Sequence, residues 1–207
     1  MKTLILARHA HATSNVGDIV NAVPPGEGLF PAGIEEALTL GRSLASEPVD
    51  LGISSRLLRA QETLRLALTG RAVPTVTEPL LDEIGFGSFE GESLTAYRSW
   101  AWQHEADTLC PGGGESRVGA ALRVADALTK LLALPQETVL AVSHGLPVRY
   151  VVDAADGSFP AQRIEPVPHA IPYRLGRERV ELAIGTLQRW AMAPAFSDPD
   201  RRTPAGG

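Results

Sequence analysis

The chain has 207 residues, 44% hydrophobic and 21% charged, with a formal net charge of −5. That length suits one sizeable α/β domain whose core needs no disulfide or metal staple. The acidic balance argues against nucleic acid as a partner, the single Cys110 excludes an intramolecular disulfide, and no apolar run approaches the ~20 residues of a membrane helix.

In chain order, residues 3–7 form a short apolar run that reads as a buried strand and is too short for a signal peptide. A cytoplasmic setting is expected. Residues 16–30, rich in Gly, Pro and Asn, read as loop. A helix is expected over 31–45, with Pro31 in its first turn and Ile34, Leu38 and Leu44 on its apolar face. Residues 51–54 read as a strand and 56–68 as a helix. Residues 74–81 read as extended, and 84–91 as a loop containing Gly and Phe. A short helix over 93–104 opens with Ser93 as a good cap. After a turn at 111–114, a long helix is expected over 115–134, then an apolar strand over 138–142 and a helix start at His144. Residues 173–175 and 180–184 read as a hairpin at the sheet edge. The tail from about Pro194 reads as flexible.

This alternation predicts a three-layer α/β/α sandwich with a mostly parallel central sheet. A single domain is expected over 1–193, with a short lid segment around 84–114 and a flexible tail over 194–207. In such sheets ligands sit beyond the carboxyl ends of the strands. That rule singles out Arg8-His9, Ser54-Ser55 with the helix carrying Arg59, and Ser143-His144-Gly145.

These residues suit phosphoryl transfer to histidine. A neutral imidazole attacks phosphorus, cations surround the three non-bridging oxygens, and an acid protonates the leaving oxygen. His9 and His144 supply imidazoles, and Glu83 is a loop carboxyl. Arg8 and Arg59 supply planar forks that donate two parallel hydrogen bonds.

The segment Leu6-Ala7-Arg8-His9-Ala10, with Asn15 following, resembles the Arg-His-Gly signature of the histidine phosphatase superfamily, which includes phosphoglycerate mutases. Ser55-Arg56-Leu57-Leu58-Arg59-Ala60-Gln61-Glu62-Thr63 resembles that family's Ser-x-Leu-x-Arg-Ala-x-x-Thr segment. Residues 81–91 are similar to its acid loop, 111–116 to its Pro-x-Gly-Glu-Ser turn, and 142–145 to its second-histidine motif. Each motif alone is weak; the five in family order are specific, and they cover residues 3 to about 150.

The resemblance implies a phosphoglycerate mutase-like fold and assigns the roles. His9 becomes a phosphohistidine. Arg8, Asn15, Arg59 and His144 hold the phosphoryl oxygens, and a protonated His144 would add charge. Glu83 protonates the leaving oxygen and then serves as base for water. The arginines carry the electrostatics and hold His9 neutral, so neither metal nor other cofactor is expected. Three positions depart from the pattern: Ala10 for glycine, Phe30 for threonine and Glu36 for glutamine.

His11, Phe86 and Trp100 are candidates for the pocket wall; for Trp100 and Trp102, core packing is the equal alternative. His104 and His169 match no motif and read as surface or structural, and Cys110 as inert. Between residues 84 and 110 Arg98 is the sole Lys or Arg, whereas Phe86, Phe89, Tyr97, Trp100 and Trp102 cluster there. A bisphosphate is densely anionic and matches this lid poorly. The expected activity is therefore hydrolysis of a small phosphorylated metabolite. The alternatives are a 2,3-bisphosphoglycerate-dependent mutase and a non-catalytic phospho-ligand binder. Residues 180–184, as an edge strand, could pair with a second copy, making a homodimer an open reading.

Overall fold

The computed structural model describes residues 1–196. Five strands form one sheet: β1 (Thr3–Arg8), β2 (Leu51–Ser54), β3 (Thr75–Thr77), β4 (Thr138–Ser143) and β5 (Pro172–Gly176). Their order is β3-β2-β4-β1-β5. All neighbours are parallel except β5, which runs antiparallel along β1. The central strands are apolar on both faces because both faces are covered. Leu4 and Leu6 of β1, with Val139 and Ala141 of β4, join one core cluster. Ile5 and Ala7, with Leu140 and Val142, join the other.

The helices divide accordingly. On one face lie α2 (Pro31–Ser43) and α3 (Leu58–Ala67), buried through Ala37, Leu40, Ala60 and Leu64. On the other lie α5 (Arg117–Leu132), α6 (Gly145–Ala154) and α7 (Arg177–Met192). The short helices α1 (Thr13–Val16) and α4 (Leu94–Ala101) stand in the connections that roof the strand ends. As expected, Ser93 caps α4, its hydroxyl accepting from Ala96 N–H at 3.1 Å. Ser116 caps α5 in the same way, at 2.9 Å from Gly119 N. The architecture is the expected mostly parallel α/β sandwich.

One element differs. Residues 180–184 do not return as a strand; they lie in the first turns of α7. Val180, Ala183, Leu187 and Trp190 are all buried, a helical spacing that continues well past the apolar cluster. The alternation of Val180, Leu182 and Ile184 mimics a strand only over that short window. Leu182 is in fact exposed. The edge strand proposed for pairing with a second copy is therefore absent there; the sheet edges are β3 and β5. Residues 74–81 also split, into β3 and a single 3-10 turn at Pro79–Leu81.

The expected flexible tail begins inside the packed body. Trp190 Nε1 donates to Ala195 O at 2.9 Å, and Phe196 rests against Trp190 and Arg117. Residues 197–207 of that tail lie outside the described residues. Among the described residues no helix is long and apolar enough to cross a membrane.

Candidate active site

The adjacent strands β1, β4 and β2 end side by side, and each delivers one of the anticipated groups. His9 N–H donates to Ser143 O at 2.9 Å, and Ser55 N–H to Val142 O at 3.2 Å. These backbone bonds bring the His9 and His144 rings to 5.1 Å between centroids. Both side chains are buried.

The hydrogen bonds of His9 determine its tautomer. Nδ1 lies 2.7 Å from Ala10 O, and a carbonyl can only accept, so Nδ1 carries the proton. Arg59 Nε donates to His9 Nε2 at 3.1 Å, as an unprotonated nitrogen requires. The ring's lone pair is thus on Nε2, where the Arg59 guanidinium covers it. Burial above all, then His144, Arg59 and Arg8, holds the His9 pKa well below its ordinary value. The arginines were expected to do this; desolvation is the larger cause.

His144 caps α6 and contacts Ser55, with Nε2 2.7 Å from the hydroxyl. Burial first, then Arg59 and Arg8, pushes its pKa well down. That direction favours the neutral ring, so the extra charge that a protonated His144 would add is not favoured. Ser55 Oγ also accepts from Leu57 N–H at 3.2 Å. A serine proton donated to Nε2 leaves the ring proton on Nδ1. That Nδ1 and Arg8 Nε are buried without a partner. Unpaired buried donors are costly and point to an absent acceptor.

Arg8 donates Nη1 to Val167 O at 2.8 Å, and Arg59 donates Nη1 to Asn21 Oδ1 at 3.3 Å. Thr63 locks the floor by accepting from Ala10 N–H at 2.9 Å and donating to Arg59 O at 2.7 Å. This also explains Ala10. Its side chain is fully buried in the core beneath the loop, and its φ is not positive, so no glycine is required. Asn15 lines the crevice, but its Oδ1 accepts from Ala12 N–H at 3.0 Å and shapes the loop.

Glu83 enters from the loop after the 79–81 turn, and its Oε1 accepts from Ile84 N–H at 3.0 Å. Burial raises its pKa against the opposing pull of that bond, Arg59 and Arg8. A raised carboxyl pKa is the direction that suits a general acid. The loop is clamped from α5. Arg123 pairs with Glu115 at 2.7 Å and donates to the carbonyls of Leu80, Asp82 and Glu83. Glu115 Oε2 in turn accepts from Gly85 N–H at 3.1 Å. Gly87, at φ +55°, passes so close to the 111–114 turn that a Cβ would stand 2.0 Å from Pro111 O.

Two hollows meet here, sharing Arg8, Glu83, Phe86 and Leu94 in their walls. One, of about 210 Å3, holds His9, Asn15 and Arg59. The other, of about 280 Å3, extends under α4 toward residues 162–167. Leu94, Tyr97, Arg98 and Ala101 line it at helical spacing. Phe86 lines it as expected, packed edge-on to Tyr97 at 4.7 Å.

Trp100 does not line it. That residue falls outside the inward stripe and stacks on His104 at 4.6 Å. Trp102 forms the wall instead, with Arg163 over its ring at 4.6 Å. His11 stands at the rim beside His169. Sequence reasoning missed His169, whose Nδ1–H donates to His9 O at 2.8 Å and whose pKa burial lowers to about 4. It also passed over Asn21, Arg117 and Arg123. Ser55 was signalled by its place after a strand; the others carried no local signal.

A family model described as the histidine phosphatase superfamily (branch 1) matches residues 4–171. The chain is 33% identical over 152 residues to an adenosylcobalamin/alpha-ribazole phosphatase of Salmonella typhimurium, covering 68% of this chain and 73% of that protein. It is 29% identical over 174 residues to a 2,3-bisphosphoglycerate-dependent phosphoglycerate mutase of Beijerinckia indica, covering 77% and 83%. The fold is similar to the alpha-ribazole phosphatase from Shigella flexneri, with a TM-score of 0.73 at 27% identity over 85% of this chain and 92% of that one.

Proposed function

The chain belongs to branch 1 of the histidine phosphatase superfamily, and we propose that it hydrolyses a small phosphomonoester through a phosphohistidine on His9. The observation that carries this reading is the unprotonated Nε2 of a buried His9, set among Arg59, His144 and Arg8.

In the first step His9 Nε2 forms a bond to phosphorus as the phosphorus–oxygen bond to the leaving group breaks. The Glu83 proton passes to the leaving oxygen. Arg59 turns from Nε2 to a phosphoryl oxygen as substrate enters. Arg8 Nε and His144 Nδ1, which have no partner among the described residues, meet others. In the second step water attacks phosphorus, its proton goes to Glu83, and the nitrogen–phosphorus bond breaks, restoring the lone pair. The charge on the oxygens is met by these side chains, and no step is routed through a metal.

The body of the substrate occupies the cavity walled by Phe86, Tyr97 and Trp102. An apolar wall beside polar groups such as Arg98, Gln162 and Glu165 suits a nucleoside-like body, as the alpha-ribazole phosphatase relatives support. Glycolytic mutase chemistry is less favoured, because Arg98 and Arg117 are the cations that wall adds. Arg117 is already bound to Tyr150 and to the Ala161 and Gln162 carbonyls. The single Cys110, buried and unpaired, fits a cytoplasmic setting.

The test is phosphate release from p-nitrophenyl phosphate and from a ribazole 5′-phosphate. Turnover is expected in wild type and to fall on the order of 10^4-fold or more in His9→Ala, as for loss of a covalent nucleophile. An acid-labile +80 Da adduct, about the mass of one PO3 group, is expected on His9 during turnover. Interconversion of 3- and 2-phosphoglycerate that depends on bisphosphoglycerate would overturn the hydrolase reading. Phosphate binding without turnover would leave the binder.

A further inference from the structure

Beside the crevice, three side chains from distant segments meet: His11 after β1, Glu36 on α2 and His169 before β5. One ligand atom from each lies within 4.8 Å of the other two. We propose that this cluster, at the rim of the hollow that holds His9, binds a divalent transition cation of the zinc class.

The orientation of each group supports the reading. His169 gives its Nδ1 proton to His9 O, which leaves Nε2 as the atom with a lone pair. Metal-bound histidines commonly hold the other ring nitrogen to a carbonyl in this way. Glu36 uses Oε2 to accept from His11 N–H at 2.8 Å, which keeps its other oxygen available. That Oε1 stands 3.9 Å from His11 Nδ1, beyond hydrogen-bond length. Among the described residues the His11 ring makes no hydrogen bond; its near contact is the His169 ring, 4.6 Å between centroids.

The backbone also supports it. Gly33 of α2 abuts His11 so closely that a Cβ would lie 2.0 Å from His11 O. This fixes Glu36, one turn on, against the His11 loop.

Two imidazoles and a carboxylate form the donor set that borderline cations prefer, with a fourth position left for water. Ligand atoms at a tetrahedral zinc stand ~3.4 Å apart, from bond lengths of about 2.0–2.2 Å. Closing the cluster to that spacing takes modest rotations of the half-exposed His11 and Glu36 side chains. Arg8 and Arg59 oppose a cation here, and the anionic Glu36 is the ligand that offsets them. The site rests on none of the steps assigned to His9 and Glu83.

The test is Zn2+ titration of the full chain against a chromogenic chelator, with Co2+ absorption reporting coordination geometry. Wild type is expected to take one equivalent and to show tetrahedral Co2+ bands. Glu36→Gln keeps an acceptor for His11 N–H but removes the anionic ligand. It should weaken binding at least about tenfold, as loss of even an outer partner does. His11→Asn should do the same, and the matching thermal melts of either variant show that the fold persists. His9→Ala should retain binding. No bound equivalent in wild type, affinity unchanged in both variants, or loss of binding in His9→Ala would overturn the site.

Discussion

The two halves of the crevice are built in opposite ways. Around His9 most polar groups are buried and tied to one another: Ala10 and Thr63 to Arg59, Ser55 to His144, and Ser143 to the backbone of His9, with Arg8 Nε and His144 Nδ1 left unpaired. The Ser55 and Ser143 ties run between the ends of neighbouring strands, which the sheet holds rigidly, and the Thr63 tie adds α3 to them. The cavity beyond Glu83 is assembled instead from α4, the first turn of α6 and the 162–167 loop, mostly through apolar side chains. The strand-end cradle is suited to fixed chemistry, and the cavity can vary with the body attached to the phosphate.

The sharpest way to break this comparison is at Glu83, where the halves meet. Glu83→Gln should lower kcat by about 10^2–10^4-fold, the usual weight of a general acid and base. Steady-state rates on an alkyl phosphate and on p-nitrophenyl phosphate separate its two roles. The loss should be smaller for the nitrophenyl ester, whose leaving group needs no proton. Equal losses on both would leave Glu83 without the role of acid.

Trp102→Ala probes the cavity alone. It should raise KM by about tenfold for a bulky phosphomonoester, in line with ~25 cal/mol per Å2 of lost apolar contact. It should leave p-nitrophenyl phosphate nearly unchanged. Trp100→Ala is the matched control: it removes the stack on His104 and should cost about 2 kcal/mol in urea unfolding with little change in KM. An identical KM pattern in both variants would dissolve the assigned wall.

The smallest effect is in the pH dependence of stability. His9 and His144 sit well below 6.5 when folded, so the unfolded chain binds more protons as pH falls past that value. Their contribution is full above about 6.5 and is lost toward the folded values. The slope is at most about 1.4 kcal/mol per pH unit for each ring. Glu83 acts with the opposite sign: its raised pKa stabilises below the ordinary carboxylate value and is lost as pH rises. Unfolding free energies measured between pH 7 and pH 5 should therefore fall, and His144→Asn should make that fall shallower.

Much of this site was legible because its chemistry lies in short local strings at strand ends. Arg8-His9, the 55–63 segment and 142–145 each close or follow a strand and carry a functional group within a few residues. Parallel strands with covered faces then bring those ends together. Local spacing also set α4 with its Ser93 cap and the body of α5, whose Ser116 cap it did not mark. What the sequence alone determined, then, was the sheet class, the groups at its carboxyl edge and the chemistry those groups can perform.

Tertiary structure decided everything that depends on a partner far along the chain. His169 reaches the His9 carbonyl across 160 residues, and Arg123 clamps the Glu83 loop across 40. No spacing rule signals either contact. Burial depth, known only from packing, made desolvation the main cause of the His9 and His144 shifts and favoured the neutral His144 ring. Packing also placed the Ala10 methyl in the core rather than toward the phosphate site. Helical phase turned Trp100 away and left the wall to Trp102. For 180–184 it was burial of Leu187 and Trp190, beyond the strand-like window, that selected the helix. Local order is written in neighbouring residues; register, burial and long-range partners exist only after the chain has folded.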